Sequence, residues 1–252
     1  MKYSELVLDV EDIARLAQED PEQFALLRRK GFGASDSSII LGVNKWNNVA
    51  ALIAQKNTPY LTEEEIQVGQ KPQVRMGADL EPLILQKAEE ILQHKVIKPQ
   101  DQYRLKEFPW LTVNYDGVMC AECVALEKQK NFIPVEAKCV SPYARKYWDW
   151  SKGADSAEKL RDLRAAQIIS NNSIKKDIED NAAAIGIPDY YYTQVQQQML
   201  GTMAEVGYLA AMDVHEWTVH IFPVPRNEEV QSTLICLSAE AAEQCESILA
   251  QF

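Results

Sequence analysis

Asp116, Glu136 and Lys138 are the residues of this chain whose types and spacing suit chemistry. Asp116 sits in the turn Asn114-Tyr115-Asp116-Gly117, and Val135-Glu136-Ala137-Lys138 follows twenty residues later. Successive side chains of a strand point to opposite faces. Glu136 and Lys138 therefore share one face while Ala137 points away. If the Asp116 turn abuts that face, two carboxylates converge as oxygen ligands for Mg²⁺, a cation that binds few protein carboxylates and keeps several waters. The lysine would then orient or deprotonate an attacking water. Such a set suits in-line attack on a phosphodiester, where metal ions stabilise the attacking oxygen, the leaving oxygen and the charge between them. The same residues also read as a strand with a surface Glu–Lys pair, because motifs this short match often by chance.

Three further segments bear on the choice. In Arg75-Met76-Gly77-Ala78-Asp79-Leu80-Glu81-Pro82 a helical apolar stripe begins that continues through Leu83, Ile84, Ala88, Ile91 and Leu92. Glu81 borders that stripe, with Gly77 one turn earlier leaving room for an approaching group. Along Tyr190–Gly201, Gln194, Gln197 and Gln198 share one helix face beside Val195 and Met199. Glutamines there are neutral donors for a phosphate, a base edge or a water, or simply a polar helix face. Near the amino terminus, Arg28-Arg29-Lys30-Gly31-Phe32-Gly33-Ala34-Ser35-Asp36 joins a basic helix end to a glycine-rich turn and a new helix start. This is either an anion site built from backbone N–H groups or an ordinary helix C-cap followed by an N-cap.

The elements that must position these residues follow from periodicity and turn signals. Asp9–Lys30 reads as helical with a break near Pro21, Asp36–Leu41 and Asn48–Lys56 as short helices, and Thr58–Lys71 as a polar connection. Val74–Gln93 carries Glu81. Lys95–Lys98, Gln102–Lys106, Thr112–Met119, Cys123–Gln129 and Phe132–Cys139 read as strands, with a hairpin turn at Glu127–Asn131. Pro142–Trp150 opens a helix, and Ser151–Pro188 reads as a charged helical insertion within one domain spanning residues 1–252. Tyr190–Glu205 is the glutamine helix; strands Val206–Asp213 and Glu216–Pro223 and a final helix Glu228–Gln251 complete the chain. Helices on both sides of a mixed sheet define an α/β class.

Taken in order, Arg-x-Lys-Gly-x-Gly-Ala-Ser-Asp, Gly-x-x-x-Glu-Pro, Tyr-Asp-Gly, Val-Glu-Ala-Lys and Gln-x-Gln-x-x-Met resemble the lambda-exonuclease/YqaJ-type viral recombinase family of PD-(D/E)xK nucleases. The resemblance covers roughly Arg28 to Met212, with a weaker echo around Pro225-Arg226-Asn227-Glu228-Glu229. It implies a PD-(D/E)xK restriction-endonuclease-like core with a mixed β-sheet flanked by helices. It implies metal binding by Asp116 and Glu136, with the Ala137 carbonyl as a further ligand and Glu81 assisting at the metal. Lys138 matches the catalytic lysine, and Gln194 the first glutamine of the last motif. Ser35 and one of Arg28 or Arg29 match residues that hold the 5′ phosphate, and Arg145 lies one residue from another phosphate-binding arginine of the family. Tyr115 replaces the proline of the family's Pro-Asp dipeptide. The cofactor implied is Mg²⁺, with Mn²⁺ able to substitute.

By the same resemblance the substrate is double-stranded DNA ends, digested 5′ to 3′ to leave 3′ single strands for phage-type recombination. A homo-oligomer, commonly a trimer, and a single-strand annealing protein as partner are implied with it. Two alternatives stay open: a PD-(D/E)xK nuclease of other polarity or an endonuclease, and a non-catalytic DNA-end or protein-binding module on a nuclease fold. The intact Asp116, Glu136 and Lys138 weigh against the last.

Composition bounds the reading. A chain of 252 residues that is 46% hydrophobic can bury a substantial core. It has no run of about 18 apolar residues and no leader-like amino terminus, so a soluble cytoplasmic protein is expected, of phage or prophage origin in a bacterial host, with no membrane partner. A net charge of −11 argues against a protein that coats DNA nonspecifically, since phosphate neutralisation needs a basic surface. It does not exclude a local track, for which Arg28, Arg29, Lys30, Lys138, Arg145 and Lys146 are the candidates. Of five cysteines, Cys120 and Cys123 form a C-x-x-C pair, but Cys139, Cys236 and Cys245 lack metal-site spacing. They read as reduced cytosolic thiols, and His94, His215 and His220 show no ligand spacing.

Overall fold

The computed structural model describes residues 5–119, 132–163, 173–202 and 204–250. The first element is a strand, β1 (Leu6–Val10), which pairs antiparallel with β3 (Gln102–Leu105); β3 pairs in turn with β4 (Thr112–Val113) in a three-stranded sheet. A second, five-stranded sheet holds β2 (Val96–Ile97), β5 (Gly117–Met119), β6 (Ile133–Val140), β7 (Val206–Asp213) and β8 (Thr218–Pro225) in that spatial order. β6 and β7 run parallel, and their neighbours pair antiparallel. A parallel pair needs a long crossover. Here the crossover carries α7 (Ala157–Asp162), α8 (Ile174–Ile185) and α9 (Asp189–Leu200).

Strand alternation divides β6, β7 and β8 between two apolar layers. Val135, Ala137, Ala210, Met212, Val219 and Ile221 pack on α6 (Pro72–Leu92) through Ile84, Leu85, Ala88, Ile91 and Leu92. Leu209, Ala211, Phe222 and Val224 face the other way, with Ile178 and Ile185 of α8, Val195 and Met199 of α9, and Val230 and Leu234 of α10 (Glu228–Ala242). Each large side chain so buried contributes about 1.5–3 kcal/mol relative to exposure. Glu136 and Lys138 stand on the α9 side of a strand that is therefore clamped between helical layers. The result is a mixed α/β fold, as the periodicity predicts.

The amino-terminal half differs from the sequence expectation in several places. Leu6–Val10 is a strand, and the helices α1 (Ile13–Glu19) and α2 (Pro21–Leu27) follow it, broken at Pro21 as read. The short helices α3 (Ser37–Ile40) and α4 (Val49–Asn57) stand where expected. The connection expected at Thr58–Lys71 contains α5 (Glu63–Gly69), started by a capping box in which Thr62 and Glu65 satisfy each other's backbone N–H groups. Where one strand is expected over Thr112–Met119, there are two in different sheets, separated by Asn114, Tyr115 and Asp116. Gly117 permits this, since a Cβ there would lie 2.7 Å from Val96 Cγ1 and 2.8 Å from Leu85 Cδ2.

Further along, Pro142–Trp150 forms only 3₁₀ turns at Arg145–Tyr147 and Trp150–Lys152. The final helix stops at Ala242, and a short α11 (Glu246–Leu249) follows. The strand expected at Cys123–Gln129, its turn, Cys120 and Cys123 lie outside the described residues.

Candidate active site

The site lies where the two sheets part. β5 pairs with β6 from Met119 opposite Ile133 to Gly117 opposite Val135. The residues before Gly117 leave for β4, so the next β6 amide on that side, that of Ala137, is not met by β5. Asp116 Oδ2 accepts it at 2.9 Å. Tyr115 anchors the same turn: it is buried, its hydroxyl donates to the Gln198 carbonyl at 2.9 Å, and its ring meets Phe132 edge-on at 5.4 Å. Burial pushes the Tyr115 phenol above its usual pKa, so it stays a donor. Tyr115 thus ties the Asp116 turn to α9.

Glu136 is 1% exposed and surrounded by donors. Lys138 Nζ and Gln194 Nε2 both donate to its Oε1, and Gln198 Nε2 donates to its Oε2 at 2.5 Å. Gln194 and Gln198, one turn apart on α9, hold the two oxygens of a single carboxylate. Burial first, and then the Asp116 charge, push the Glu136 pKa up to about 7 against the opposing pull of Lys138 and Gln198. For Lys138 burial acts to lower the pKa, but the charges of Glu136 and Asp116 outweigh it and hold the ammonium above its ordinary value. Lys138 is therefore a charged donor to Glu136 in this arrangement. Its Nζ lies 5.3 Å from the centre of the Tyr191 ring, a cation–π contact.

A cleft of about 620 Å³ opens over this group and is also walled by Arg28, Ser35, Gly77, Glu81, Ala137 and Cys139. Arg28, Ser35, Glu81, Asp116, Glu136, Ala137, Lys138 and Gln194, predicted from five separate stretches of sequence, all line it. Gly77 has open space where a Cβ would be, in keeping with the room expected there. Arg28 Nη2 donates to Ser35 Oγ at 3.0 Å, so the basic and hydroxyl groups form one unit at the cleft edge.

Two expected residues lie off the cleft lining. Arg29 is 6% exposed and turned away, with Nη1 on the carbonyls of Thr58 and Tyr60 and Nη2 on both oxygens of Glu65 at 2.8 Å. All these donors hold α5, so of the two arginines it is Arg28 that lines the cleft. Arg145 pairs with Asp213 at 2.6 Å and Glu216 at 3.3 Å, at the carboxyl end of β7. Glu81 does line the cleft but is ion-paired to Lys98. Among the described residues no three acidic, histidine or cysteine side chains are grouped as they would be around one cation; Glu81 shares the cleft wall with Asp116 and Glu136.

Asp116 and Glu136 suit a hard divalent cation. Burial, and after it the charge of Asp116, raises Glu136, and Mg²⁺ takes one or two protein carboxylates and completes its shell with water. Gln198 was not singled out above Gln197 by spacing, although both lie on the Gln194 face. Gln197 instead donates to the carbonyls of Phe32 at 2.9 Å and Thr112 at 3.1 Å, tying the amino-terminal loop to β4. The four-residue step from Gln194 to Gln198 is the signal that distinguishes them. Nothing in the spacing pointed to Lys98 or Tyr191.

The fold has relatives of known structure. A structure titled LHK-Exo in complex with dAMP superposes with a TM-score of 0.52 and 14% identity, covering 91% of this chain and 96% of that one. A second, titled alkaline exonuclease (LHK-Exo) from Laribacter hongkongensis, gives the same score and identity over 89% and 94%. The likeness shows that the chain shares the mixed α/β fold of these structures. The uncharacterized protein YqaJ of Bacillus subtilis (strain 168) is 28% identical over 139 residues, 55% of this chain, and the match spans only 40% of that protein's length. The YqaJ-like viral recombinase domain matches residues 23–205, a stretch that contains every cleft residue named above, and the chain belongs to that family.

Proposed function

We propose that the chain is a metal-dependent deoxyribonuclease that digests double-stranded DNA from 5′ ends and leaves 3′ single strands for phage-type recombination. The observation that carries this reading is the gathering of Asp116, Glu136 and Lys138 with the Arg28–Ser35 unit in one cleft. Asp116 and Glu136, with the Ala137 carbonyl, would hold Mg²⁺ or Mn²⁺, which when bound would supply charge stabilisation at the phosphoryl group under attack.

The protein's own residues do the rest. Gln194 and Gln198 fix the orientation of the Glu136 carboxylate without neutralising it. Lys138, kept protonated, donates to the non-bridging oxygens as negative charge develops on them, a form of electrostatic stabilisation that acts without reorganisation. Arg28 has the planar fork that suits a phosphate, and with the Ser35 hydroxyl it receives the 5′-terminal phosphate. Glu81, at the cleft wall and ion-paired to Lys98, would assist at the metal. A closed homo-oligomer, most simply a trimer, would enclose the duplex, and the 3′ strand produced would pass to a single-strand annealing protein. No helix among the described residues is long and apolar enough to cross a membrane, and we place the activity in the bacterial cytoplasm during phage or prophage recombination.

The test is direct. Purified protein is incubated with Mg²⁺ and linear duplexes labelled separately at each 5′ and 3′ end. Loss of the 5′ label as mononucleotide before the 3′ label supports the reading. Internal cutting of a closed circle, or loss of the 3′ label first, replaces it with endonuclease or opposite polarity, and absence of any cleavage leaves a binding module.

A further inference from the structure

A second cavity, of about 530 Å³, opens beside the first and has no part in the chemistry above. Its walls are aromatic: Trp46, Tyr147, Trp148 and Tyr190 line it, with Lys45 and Lys146 among the residues around it. Two of these rings carry more surface than packing explains. Trp46 is 72% exposed and Tyr147 57%.

Trp46 is not exposed because its loop is loose. Asn44 Oδ1 accepts the backbone N–H groups of Trp46 and Asn47, each at 2.9 Å, and Asn44 Nδ2 donates to Ser38 Oγ at 2.9 Å. The indole meets Tyr190 edge-on at 5.2 Å, which leaves its face open. An exposed indole held in place by a pinned loop can stack on a planar ligand at little entropic cost.

The aromatic wall is continuous with the catalytic cleft. Tyr190 touches Tyr191 at 4.4 Å between ring centres, and Lys138 lies over Tyr191. Trp148 also packs on Tyr191, at 5.6 Å. Rings thus lead from the catalytic lysine to Trp46 without a gap.

Charge selects the class of ligand. Asp149, Glu179 and Asp189 line the same cavity and outnumber Lys45 and Lys146, so its interior repels phosphate. A neutral planar group with N–H donors at its edge fits, provided that its anionic backbone stays outside near the lysines. A nucleobase on a strand has that layout. We infer that this cavity takes an unpaired nucleobase of the DNA strand engaged at the catalytic cleft, stacked on Trp46 and Tyr147 with the flanking phosphates near Lys45 and Lys146. The inference rests on the nuclease reading, and it adds a base-contacting subsite to a site otherwise built for phosphate.

The test uses fluorescence anisotropy in EDTA, where no cleavage occurs, with a labelled oligothymidylate and a labelled abasic oligomer of the same length. Base–aromatic stacking is worth about 1–3 kcal/mol per base, or roughly 5- to 150-fold in affinity. The unmutated protein should bind the oligothymidylate more tightly than the abasic strand. Trp46→Ala and Tyr147→Ala should each weaken oligothymidylate binding roughly tenfold and leave the abasic strand unaffected. Trp46→Phe, which keeps a ring, should retain most of the affinity and controls for folding. Equal affinity of the unmutated protein for the two oligomers, or equal loss on both in Trp46→Ala, overturns the inference. So does a change from oligomer to monomer in Trp46→Ala by light scattering, because the cavity would then be covered by a second copy of the chain. Mg²⁺-dependent cleavage of a duplex is measured in parallel. Its absence defeats the nuclease reading, whereas intact cleavage with no base preference in binding defeats only the subsite.

Discussion

Asp116→Asn separates the two things that the Asp116 carboxylate does. Asparagine Oδ1 can still accept the Ala137 N–H, now made at 2.9 Å, so the turn stays attached to β6. The charge beside Glu136 is removed. In the folded protein burial first and Asp116 second raise Glu136 from 4.5 to about 7. A carboxyl that holds its proton more tightly when folded contributes stability that is complete below its unfolded value and is lost as pH rises through its folded value. The loss between those two values amounts to roughly 3 kcal/mol at 1.36 kcal/mol per pH unit. Burial is the larger of the two raising causes, so Asp116 has the smaller share of the raise, on the order of 1 kcal/mol. For a chain of this size that is roughly 2–4 °C in melting temperature.

Differential scanning fluorimetry in EDTA at pH 8 should therefore find Asp116→Asn melting a few degrees above the unmutated protein. At pH 5 the gap should close, since Glu136 keeps its proton in both. Adding Mg²⁺ at pH 8 should reverse the order, because the unmutated protein gains stability by binding and the variant has lost a ligand. Its nuclease activity should be gone. A variant that melts below the unmutated protein at pH 8, or a gap of equal size at both pH values, refutes the account of two carboxylates held together against their repulsion.

Other substitutions distinguish the remaining roles. Lys138→Ala should lower kcat by roughly 10²–10³-fold, as removal of a transition-state donor does, with a smaller change in the Mg²⁺ concentration giving half-maximal rate; a large change in that concentration with little change in kcat contradicts the assignment. Arg28→Ala should abolish the faster digestion of 5′-phosphorylated over 5′-hydroxyl duplex while leaving stability nearly unchanged, and equal rates on both ends by the unmutated protein remove the phosphate site. Arg29→Ala should do the opposite, costing roughly 1–3 kcal/mol in chemical denaturation because Glu65 and the carbonyls of Thr58 and Tyr60 lose a buried charged donor, with the end preference kept in whatever protein remains folded. A monomer of net charge −11 has little nonspecific hold on duplex DNA, so digestion that continues after competitor DNA is added should accompany an oligomer by light scattering, and a monomer with distributive cutting opposes enclosure.

What the sequence could reveal about the fold depended on how local the cause was. The α6 stripe of Leu80, Ile84, Ala88 and Ile91 repeats at helical spacing over many residues, and its helix appears within two residues of the expected start. β7 and β8 are continuous apolar runs, legible because both faces are covered. β1 escaped notice because its burial comes from pairing with β3, almost a hundred residues away in sequence, and Val7 and Leu8 stay largely exposed. The division of Thr112–Met119 between two sheets is likewise tertiary. Thr112 and Val113 and the run Gly117–Met119 both favour strand, and only the position of β3 and β6 sends them to different partners. α5, by contrast, carried a readable start in Thr62 and Glu65 that polar composition concealed.

The active site shows the same division between chemical type and donor allocation. Residue types and β spacing put Asp116, Glu136 and Lys138 together, but no spacing tells which arginine of a pair is consumed elsewhere. Arg29 and Arg28 are adjacent; one faces Glu65 and the other the cleft because the 3₁₀ turn Arg28–Lys30 rotates successive side chains apart. The glutamines carry a finer lesson. Lysine or arginine at Gln194 and Gln198 would hold Glu136 equally well and would neutralise it as an internal ion pair. Neutral amide donors hold the carboxylate in place and add no charge beyond that of Lys138. Asp116, Glu136 and protonated Lys138 together carry one net negative charge, and a divalent cation converts that to one net positive charge facing a phosphodiester. A site that needs a cation before it can attract its substrate would stay inert toward DNA without one, so the two amides of α9 are as much a part of its chemistry as the carboxylate they orient.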